Sequence, residues 1–387
     1  MSGFTDDVRA GLGAGPAAER ADIEPGPAGL QGASNPGASH AGYGPGGLLS
    51  GAAHLPVPLT GPRVLFLGGT GVISAASVAR AVGLGFTVTV LGRGTATYRP
   101  VPAGVEVLVA DVRDPHAVRA VLGNRTFDVV ADFLSFTPEQ ARNAVELFTG
   151  RCGQYLFIST ASAYQKPPAR LPITESTPLR NPFWQYSRDK IACEDVFTAA
   201  YRENGFPVTV VRPSHTYDPT RLSLLFGWTD VHRMRAGLPV VVHGDGTSLW
   251  TLTHTDDFAV GFVGLFGQAA AVGESFTITS DEVLPWDAVY RTVAAAAGVP
   301  EPLLVHVASD TIAAAAPELG PGLLGDKSHS VIFSNAKIKA LVPDFAARIP
   351  YAVGAAQVMA WHIMHPEARV VDPAHMALSD KLAALRA

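Results

Sequence analysis

The sequence predicts an α/β fold with a doubly wound parallel sheet and a smaller C-terminal domain. Short apolar runs alternate with helical segments from residue 63 onward. The runs lack polar alternation, which is typical of strands buried on both faces. The first run stops at a cluster of glycines, and an alanine-rich, helix-forming segment follows. This order predicts parallel strands joined by right-handed helical crossovers.

The individual elements are assigned from composition and spacing. Strands are predicted at residues 64–67, 86–91, 105–109, 127–131, 155–159 and 208–211, where branched and aromatic residues are concentrated. Helices are predicted at 75–82, near 114–122 and at 138–149. In such a sheet the loops at the carboxyl ends of the strands surround one crevice. A ligand is therefore expected in this crevice.

The turn after the first strand has the spacing G-x-x-G-x-x-S. Glycines let the backbone approach a ligand closely, and the free N–H groups at a helix start attract a pyrophosphate. The pattern favours a Rossmann-type dinucleotide site, although an ordinary tight turn would have the same spacing. The residues expected to contact the cofactor here are Gly68, Gly69, Thr70, Gly71, Val72 and Ile73.

The choice between NAD and NADP depends on the end of the second strand. Gly92 and Arg93 stand where many NAD-binding domains carry an acidic residue that holds the ribose hydroxyls. An arginine suits the additional phosphate of NADP, so NADP is preferred, whereas a solvated loop arginine is the alternative. Asp111 and Val112, after the third strand, are expected to flank the adenine.

The stretch from Tyr186 to Lys190 carries the predicted chemistry. Residues four apart share one face of a helix, so the phenol and the ammonium can enter the same crevice. A free phenol titrates near pH 10, and a nearby ammonium and an oxidised nicotinamide would both lower that pKa. Tyr186 is then the expected proton acceptor or donor. Thr160, at the end of the fifth strand, is expected to position the substrate oxygen.

Several motifs together resemble those of the extended short-chain dehydrogenase/reductases, the NAD-dependent epimerase/dehydratase family. The resemblance covers residues 63–365 and includes GGTGVIS, ADVRD, ISTASAY and YSRDK, in that order. It implies that Thr160, Tyr186 and Lys190 form a catalytic triad and that Tyr186, Lys190 and Pro213 contact NAD or NADP. These enzymes usually act on nucleotide sugars. The atypical branch with chloroplast stem-loop RNA-binding proteins is similar in outline.

Three positions depart from the family pattern. Ser74 replaces the third glycine of the turn, Trp250 stands where an arginine commonly grips a phosphate, and His215 stands where asparagine is frequent. Ser162, His215 and Trp250 are the expected substrate contacts. His215 can hydrogen-bond a substrate or act as a second acid/base, or it can be a structural histidine. A nucleotide-sugar substrate is therefore in question.

Charge and composition exclude other classes. The net charge of −5 gives no electrostatic reason to expect nucleic acid. Two cysteines, Cys152 and Cys193, fit a reducing cytoplasm better than a disulfide framework. No apolar run approaches the length of a membrane span, so a soluble cytoplasmic protein is expected. A third ligand is missing beside His362 and His365, so no metal is expected.

The predicted organisation begins with a flexible tail at 1–60. A cofactor-binding domain is expected at 61–212 with about 247–282, a substrate-binding domain at 213–246 and 283–370, and a C-terminal tail at 371–387. The predicted function is NAD(P)-dependent hydride transfer at a carbinol carbon of a sugar, nucleotide sugar or related metabolite, by an epimerase, dehydratase or reductase. A homodimer is the expected assembly. An RNA-binding module and a cofactor-binding sensor without turnover are the alternatives.

Overall fold

The computed structural model describes residues 61–95 and 98–385. Its strands are β1 (Arg63–Leu67), β2 (Thr87–Gly92), β3 (Glu106–Val109), β4 (Phe127–Asp132), β5 (Cys152–Ile158), β6 (Val208–Pro213), β7 (His215–Tyr217), β8 (Val240–His243), β9 (Leu249–Trp250), β10 (Leu252–His254), β11 (Ser275–Ile278), β12 (Leu284–Pro285) and β13 (Leu304–Val307). The predicted tail at 1–60 lies outside the described residues.

The helices alternate with the strands in the first half of the chain. They are α1 (Val72–Gly83), α2 (Pro115–Leu122), α3 (Pro138–Phe148), α4 (Gln185–Asn204), α5 (Trp228–Arg235), α6 (Thr255–Gly264), α7 (Trp286–Ala296), α8 (Ser309–Ala315), α9 (Ala336–Leu341), α10 (Tyr351–Met364) and α11 (Pro373–Ala384). A short π-helix, Leu323–Lys327, precedes α9.

The central sheet has seven strands in the order β11-β6-β5-β4-β1-β2-β3. Every neighbouring pair in it is parallel. The first strand, β1, lies in the middle of the sheet; β2 and β3 continue to one edge, and β4, β5, β6 and β11 build the other. This reversal opens a crevice at the carboxyl ends of β1 and β4. The predicted α/β class with a doubly wound parallel sheet is confirmed.

Apolar side chains on both faces of the sheet hold the helices. One cluster joins β1 and β2 to α1 and α6, and a second joins the opposite face to α2, α3 and α4. Val64, Leu65 and Phe66 have no exposed surface. Three consecutive buried residues require cover on both faces, which explains the absence of polar alternation.

The remaining chain builds a smaller lobe over the carboxyl ends of the strands. It contains three two-stranded sheets, formed by the pairs β7–β10, β8–β13 and β9–β12. A separate apolar cluster, including Trp228, Trp250 and Trp286, forms its core. The exact domain boundaries given above stay a prediction.

Most of the predicted C-terminal tail forms a helix in the described residues. It contains α11, whose N-terminus is capped by the Asp372 carboxylate. Leu378 and Leu382, one helical turn apart, pack with Val241 in a small apolar cluster. This apolar pair anchors the helix to the smaller lobe, and the boundary of the C-terminal tail at residue 371 stays a prediction.

Candidate active site

A cavity of about 580 Å³ lies at the carboxyl ends of the central strands, beneath the smaller lobe. Its walls bring together nearly all the residues expected at the site. These are Gly68, Thr70, Gly71, Val72, Ile73, Arg93, Asp111, Val112, Thr160, Ser162, Tyr186, Lys190, Pro213, His215 and Trp250. Gly69 is the expected cofactor contact that does not line the cavity.

The glycine turn between β1 and α1 is built for close approach. Gly68 has φ of 82°, in the left-handed region that favours glycine. A Cβ on Gly69 would lie 2.6 Å from a methyl group of Val90, so this glycine serves packing against β2. The Ser74 hydroxyl, at the place of the third glycine, accepts a hydrogen bond from the Gly71 N–H at 2.9 Å.

These residues fit a dinucleotide. The first turn of α1 carries no acidic residue, so its positive end is available to an anion. The N–H groups of a first helical turn have no partner inside the helix, and Val72 and Ile73 face the cavity there. When bound, such a group supplies a nicotinamide that accepts or donates hydride.

The end of β2 carries a positive charge. Arg93 is exposed and lines the cavity. A Cβ on the neighbouring Gly92 would have no other atom within 4 Å, so the space beside it is open. Asp111, after β3, is bound by Arg113, whose Nε lies 2.9 Å from the carboxylate. This hydrogen bond lowers the pKa of Asp111 to about 2. The sequence gives no indication of this contact except that Arg113 follows Asp111 by two residues.

Tyr186 lies in the first turn of α4, beside the end of β5. Its hydroxyl is hydrogen-bonded to Thr160, and Thr160 contacts the Ser162 hydroxyl at 3.0 Å. Ser162 in turn contacts Ser187 at 2.7 Å. A chain of hydroxyl groups thus leads away from the phenol.

Burial determines the acidity of Tyr186 in the protein alone. It raises the pKa of Tyr186 to about 12, and the Thr160 hydrogen bond only partly opposes it. A buried phenolate loses hydration, and the Lys190 ammonium is engaged with backbone oxygens, so Lys190 alone does not offset the effect of burial. The lowered pKa expected from the sequence requires an oxidised nicotinamide as well as Lys190, and it stays a prediction for the protein with cofactor bound.

Lys190 lies one turn after Tyr186 on the same helix face and is buried. Its Nζ donates to the carbonyl oxygens of Ser135, at 2.6 Å, and Ile158, at 2.9 Å. Burial lowers the pKa of Lys190 to about 8, so it is mostly charged at neutral pH. An ammonium has three donors, so one remains for a ligand.

A buried ion pair behind the site was not assigned a role in the sequence analysis. Glu194 follows Lys190 by one turn, and its carboxylate is bound by the Arg212 guanidinium of β6 at 2.9 Å and 2.5 Å. The Ser159 hydroxyl also donates to Glu194. The i, i+4, i+8 spacing of Tyr186, Lys190 and Glu194 is the signal that could have indicated it.

The substrate end of the cavity is lined by His215 and Trp250, with Trp184, Arg221 and Lys327 beside them. Burial lowers the pKa of His215 well below its ordinary value. His215 is therefore neutral and suits hydrogen bonding rather than donation from an imidazolium. Trp250 is 3% exposed, and its ring lies 6.4 Å from that of His215, nearly perpendicular to it.

Three further histidines have structural contacts. His254 caps α6 by accepting from the Asp256 N–H at 3.2 Å. His362 stacks on Trp228 at 4.9 Å, and His365 contacts Glu367. Within residues 61–95 and 98–385, no three His, Cys, Asp or Glu side chains group as metal ligands.

Helices in the described part of the chain are too short or too polar to cross a bilayer.

The sheet order, the glycine turn and the Tyr–Lys pair define a Rossmann-type nucleotide-binding protein. A family model described as the NAD dependent epimerase/dehydratase family matches residues 64–278. This match spans more than half of the 387 residues, and the chain belongs to that family. The resemblance seen in the sequence is thereby confirmed.

Two curated relatives are similar over part of their length. The chloroplast stem-loop binding protein of 41 kDa b from Arabidopsis thaliana is 29% identical over 199 residues, or 51% of this chain and 50% of that protein. The 2'-dehydrokanamycin reductase of Streptomyces kanamyceticus is 27% identical over 245 residues, or 62% of this chain and 67% of that protein. The chain thus spans half to two thirds of these relatives.

A solved structure supports the fold assignment. The epimerase Mth375 from Methanothermobacter thermautotrophicus has a TM-score of 0.66 and 16% sequence identity, over 80% of this chain and 94% of that one. At this identity the likeness concerns the fold alone.

Proposed function

We propose that this protein is an NAD(P)-dependent oxidoreductase that transfers a hydride at a carbinol carbon of a sugar or related metabolite. The proposal rests on one observation: Thr160, Tyr186, Lys190 and the glycine turn line the same cavity. An epimerase, a dehydratase and a reductase all include a hydride transfer between such a carbon and the cofactor. Membership of the family supports the same class of reaction.

The residues divide the work as follows. Thr160 holds the reacting oxygen by a hydrogen bond, and Tyr186 accepts the hydroxyl proton as the carbinol becomes a carbonyl, or returns it in the reverse direction. Lys190 keeps a positive charge at the cavity wall and uses its remaining N–H donor on the ribose of the cofactor. The hydroxyls of Ser162 and Ser187 extend the hydrogen-bond chain from Thr160 into the protein and hold the Thr160 hydroxyl in place.

NADP is the preferred cofactor in this proposal. Arg93 brings a guanidinium to the cavity at the end of β2, where a phosphate on the adenosine ribose can meet it. Gly92, beside it, offers no carboxylate to bind the free ribose hydroxyls of NAD. Homodimer formation and a cytoplasmic location stay predictions from the sequence.

The RNA-binding alternative is not adopted. The chloroplast relative is named for stem-loop binding, but it matches 51% of this chain. The net charge of −5 opposes a polyphosphate ligand. A sensor without turnover is disfavoured because it has no need of a tyrosine, a threonine and a lysine aligned for proton transfer.

The test compares wild type with Tyr186→Phe on a panel of sugars and sugar derivatives. Nicotinamide absorbance follows net oxidation or reduction, and NMR of the products follows epimerisation or dehydration, which return the hydride and leave the cofactor unchanged. The phenylalanine keeps the ring packing and removes the titrating group. Turnover should fall by about 10²–10⁴ while cofactor affinity barely changes. Near-normal turnover of any substrate by the variant would contradict the assignment of Tyr186.

A further inference from the structure

One buried amide joins three segments of the chain that meet at the cavity. The side chain of Asn181, which precedes α4, is 2% exposed. Its Nδ2 donates to the carbonyl oxygens of Ser162, at 2.9 Å, and Gly325, at 2.7 Å. Its Oδ1 accepts from the backbone N–H groups of Phe183 and Trp184, both at 3.2 Å. A primary amide has two donors and an oxygen with two lone pairs, so its hydrogen-bonding capacity is fully used.

The contact of Asn181 with Ser162 acts on Thr160. The Ser162 N–H donates to the Thr160 Oγ1 at 3.2 Å, and the two hydroxyl oxygens lie 3.0 Å apart. Thr160 is the N-cap of the short helical turn that contains Ser162, directly after β5. A shift of Ser162 would therefore move the Thr160 hydroxyl, and Asn181 holds Ser162 by its carbonyl oxygen.

The contact of Asn181 with Trp184 acts on Tyr186. Trp184 is the N-cap residue of α4, and its own side chain makes no capping hydrogen bond. The first N–H groups of a helix have no partner inside the helix, and Asn181 supplies an acceptor for the one on Trp184. Tyr186 is the second residue of α4, so the position of its phenol follows from where the helix begins.

The contact of Asn181 with Gly325 brings in the smaller lobe. Gly325 lies in the π-helix Leu323–Lys327, which packs with the lobe through its first residue. A Cβ on Gly325 would lie 3.0 Å from the Cβ of Trp184 and 3.1 Å from the Asn181 Oδ1. Glycine therefore allows the π-helix to approach α4 closely. The two residues after Gly325 line the cavity.

We infer that Asn181 is a positioning residue for the reaction: its amide sets the distance between the Thr160 hydroxyl and the Tyr186 phenol and holds the π-helix of the smaller lobe against both. The inference rests on the proposed function, because it concerns the alignment of that site. A buried polar network that is fully satisfied specifies one arrangement of its members. Alignment matters because a displacement of about 1 Å can lower turnover about 100-fold.

The test is a spectroscopic signature of the contact between Thr160 and Tyr186, measured on the full chain saturated with NADP. Tyrosines labelled with ¹³C at Cζ give NMR signals whose chemical shifts report hydrogen bonding of the phenol oxygen, and Tyr186→Phe identifies the signal of Tyr186. Thr160→Val removes the hydroxyl and calibrates the shift change for a lost contact. Asn181→Ala should reproduce at least about half of this change, because the two groups are no longer held together.

The matched control is Asn335→Ala. Asn335 is a second buried amide, whose Nδ2 donates to the Thr279 carbonyl and the Asp281 carboxylate, both at 2.9 Å. It does not line the cavity. Both alanine variants remove the hydrogen bonds of a buried side chain and should lose similar stability, but only Asn181→Ala should change the Tyr186 signal. The comparison separates positioning from a general loss of stability.

A second variant keeps the test open to refutation. If Asn181→Ala does not fold by circular dichroism, Gly325→Ala replaces it under the same criterion, because the added Cβ pushes the π-helix away from Trp184. The inference is overturned if this variant or Asn181→Ala keeps the wild-type signal of Tyr186. It is also overturned if Thr160→Val leaves that signal unchanged, or if Asn335→Ala changes it equally.

Turnover separates the inference from the proposed function. On any substrate that the panel identifies, Asn181→Ala should lower kcat by about 10- to 100-fold and change KM by less than about threefold. The expected NMR changes without turnover of any substrate would remove the proposed function alone. A wild-type kcat in Asn181→Ala would overturn the inference and leave the proposed function intact.

Discussion

The Glu194–Arg212 pair offers the sharpest test of how the site is supported. Both side chains are nearly buried, with 5% and 7% of their surface exposed. The guanidinium binds both carboxylate oxygens, and the Tyr164 hydroxyl contacts Arg212 as well at 3.2 Å. The pair joins α4, which carries Tyr186, to β6 of the central sheet.

Glu194→Gln keeps the side-chain shape and removes the negative charge. Arg212 then remains charged and buried without its counter-ion, and losing one partner of a buried pair typically costs about 3–5 kcal/mol. The free energy of unfolding, measured by chemical denaturation, should fall by this amount. The control is Glu146→Gln, whose ion pair with Arg119 is exposed and should contribute below about 1 kcal/mol.

A double-mutant cycle shows whether the loss belongs to the pair. Arg212→Met alone should be as damaging as Glu194→Gln, because it leaves the carboxylate unpaired, whereas Glu194→Gln combined with Arg212→Met should cost much less than their sum. Additive losses, or a change within about 1 kcal/mol for Glu194→Gln, would refute the argument that this pair anchors α4.

Two further predictions follow from single groups. Arg93→Ala should weaken NADP binding by about 10- to 100-fold and leave NAD binding unchanged, because a charge-assisted hydrogen bond to the phosphate is lost. Titration calorimetry measures the affinity for both cofactors. Equal losses of affinity for NADP and NAD would count against a phosphate contact. Asp230 is buried in α5, and burial raises its pKa to about 7. Between the ordinary carboxyl pKa and about pH 7, the folded protein keeps a proton on Asp230 that the unfolded chain has released. The free energy of unfolding should therefore fall by about 2–3 kcal/mol from pH 5 to pH 8. Chemical denaturation at the two pH values measures this fall, and Asp230→Asn should remove it. An equal fall in the variant would assign the pH dependence to other groups.

The parts of the site that the sequence predicts are those written in local patterns. A glycine spacing identifies the turn at Gly68 and Gly71, since close approach requires glycine within a few residues. A spacing of four places Tyr186 and Lys190 on one helix face. The predicted strand limits differ from the observed ones by only a few residues, because buried parallel strands have a distinctive composition.

The parts that it could not predict depend on tertiary neighbours. Lys327 reaches the substrate end from a π-helix far along the chain, and no local pattern relates it to Tyr186. The helix α11 was missed because its apolar face is reduced to Leu378 and Leu382. The direction of the Tyr186 pKa also required the structure, since burial is a property of the surrounding elements.

Burial moves Tyr186 and Lys190 toward their neutral forms, and this suggests an order of events in the proposed reaction. Tyr186 keeps its proton in the protein alone, because its pKa is raised to about 12. Lys190, with its pKa lowered to about 8, provides only one charge and shares it with two carbonyl oxygens. A further positive charge is needed before phenolate becomes accessible near neutral pH. Tyr186 should therefore become a base only after an oxidised cofactor has bound beside it, which protects the empty cavity from carrying a buried phenolate.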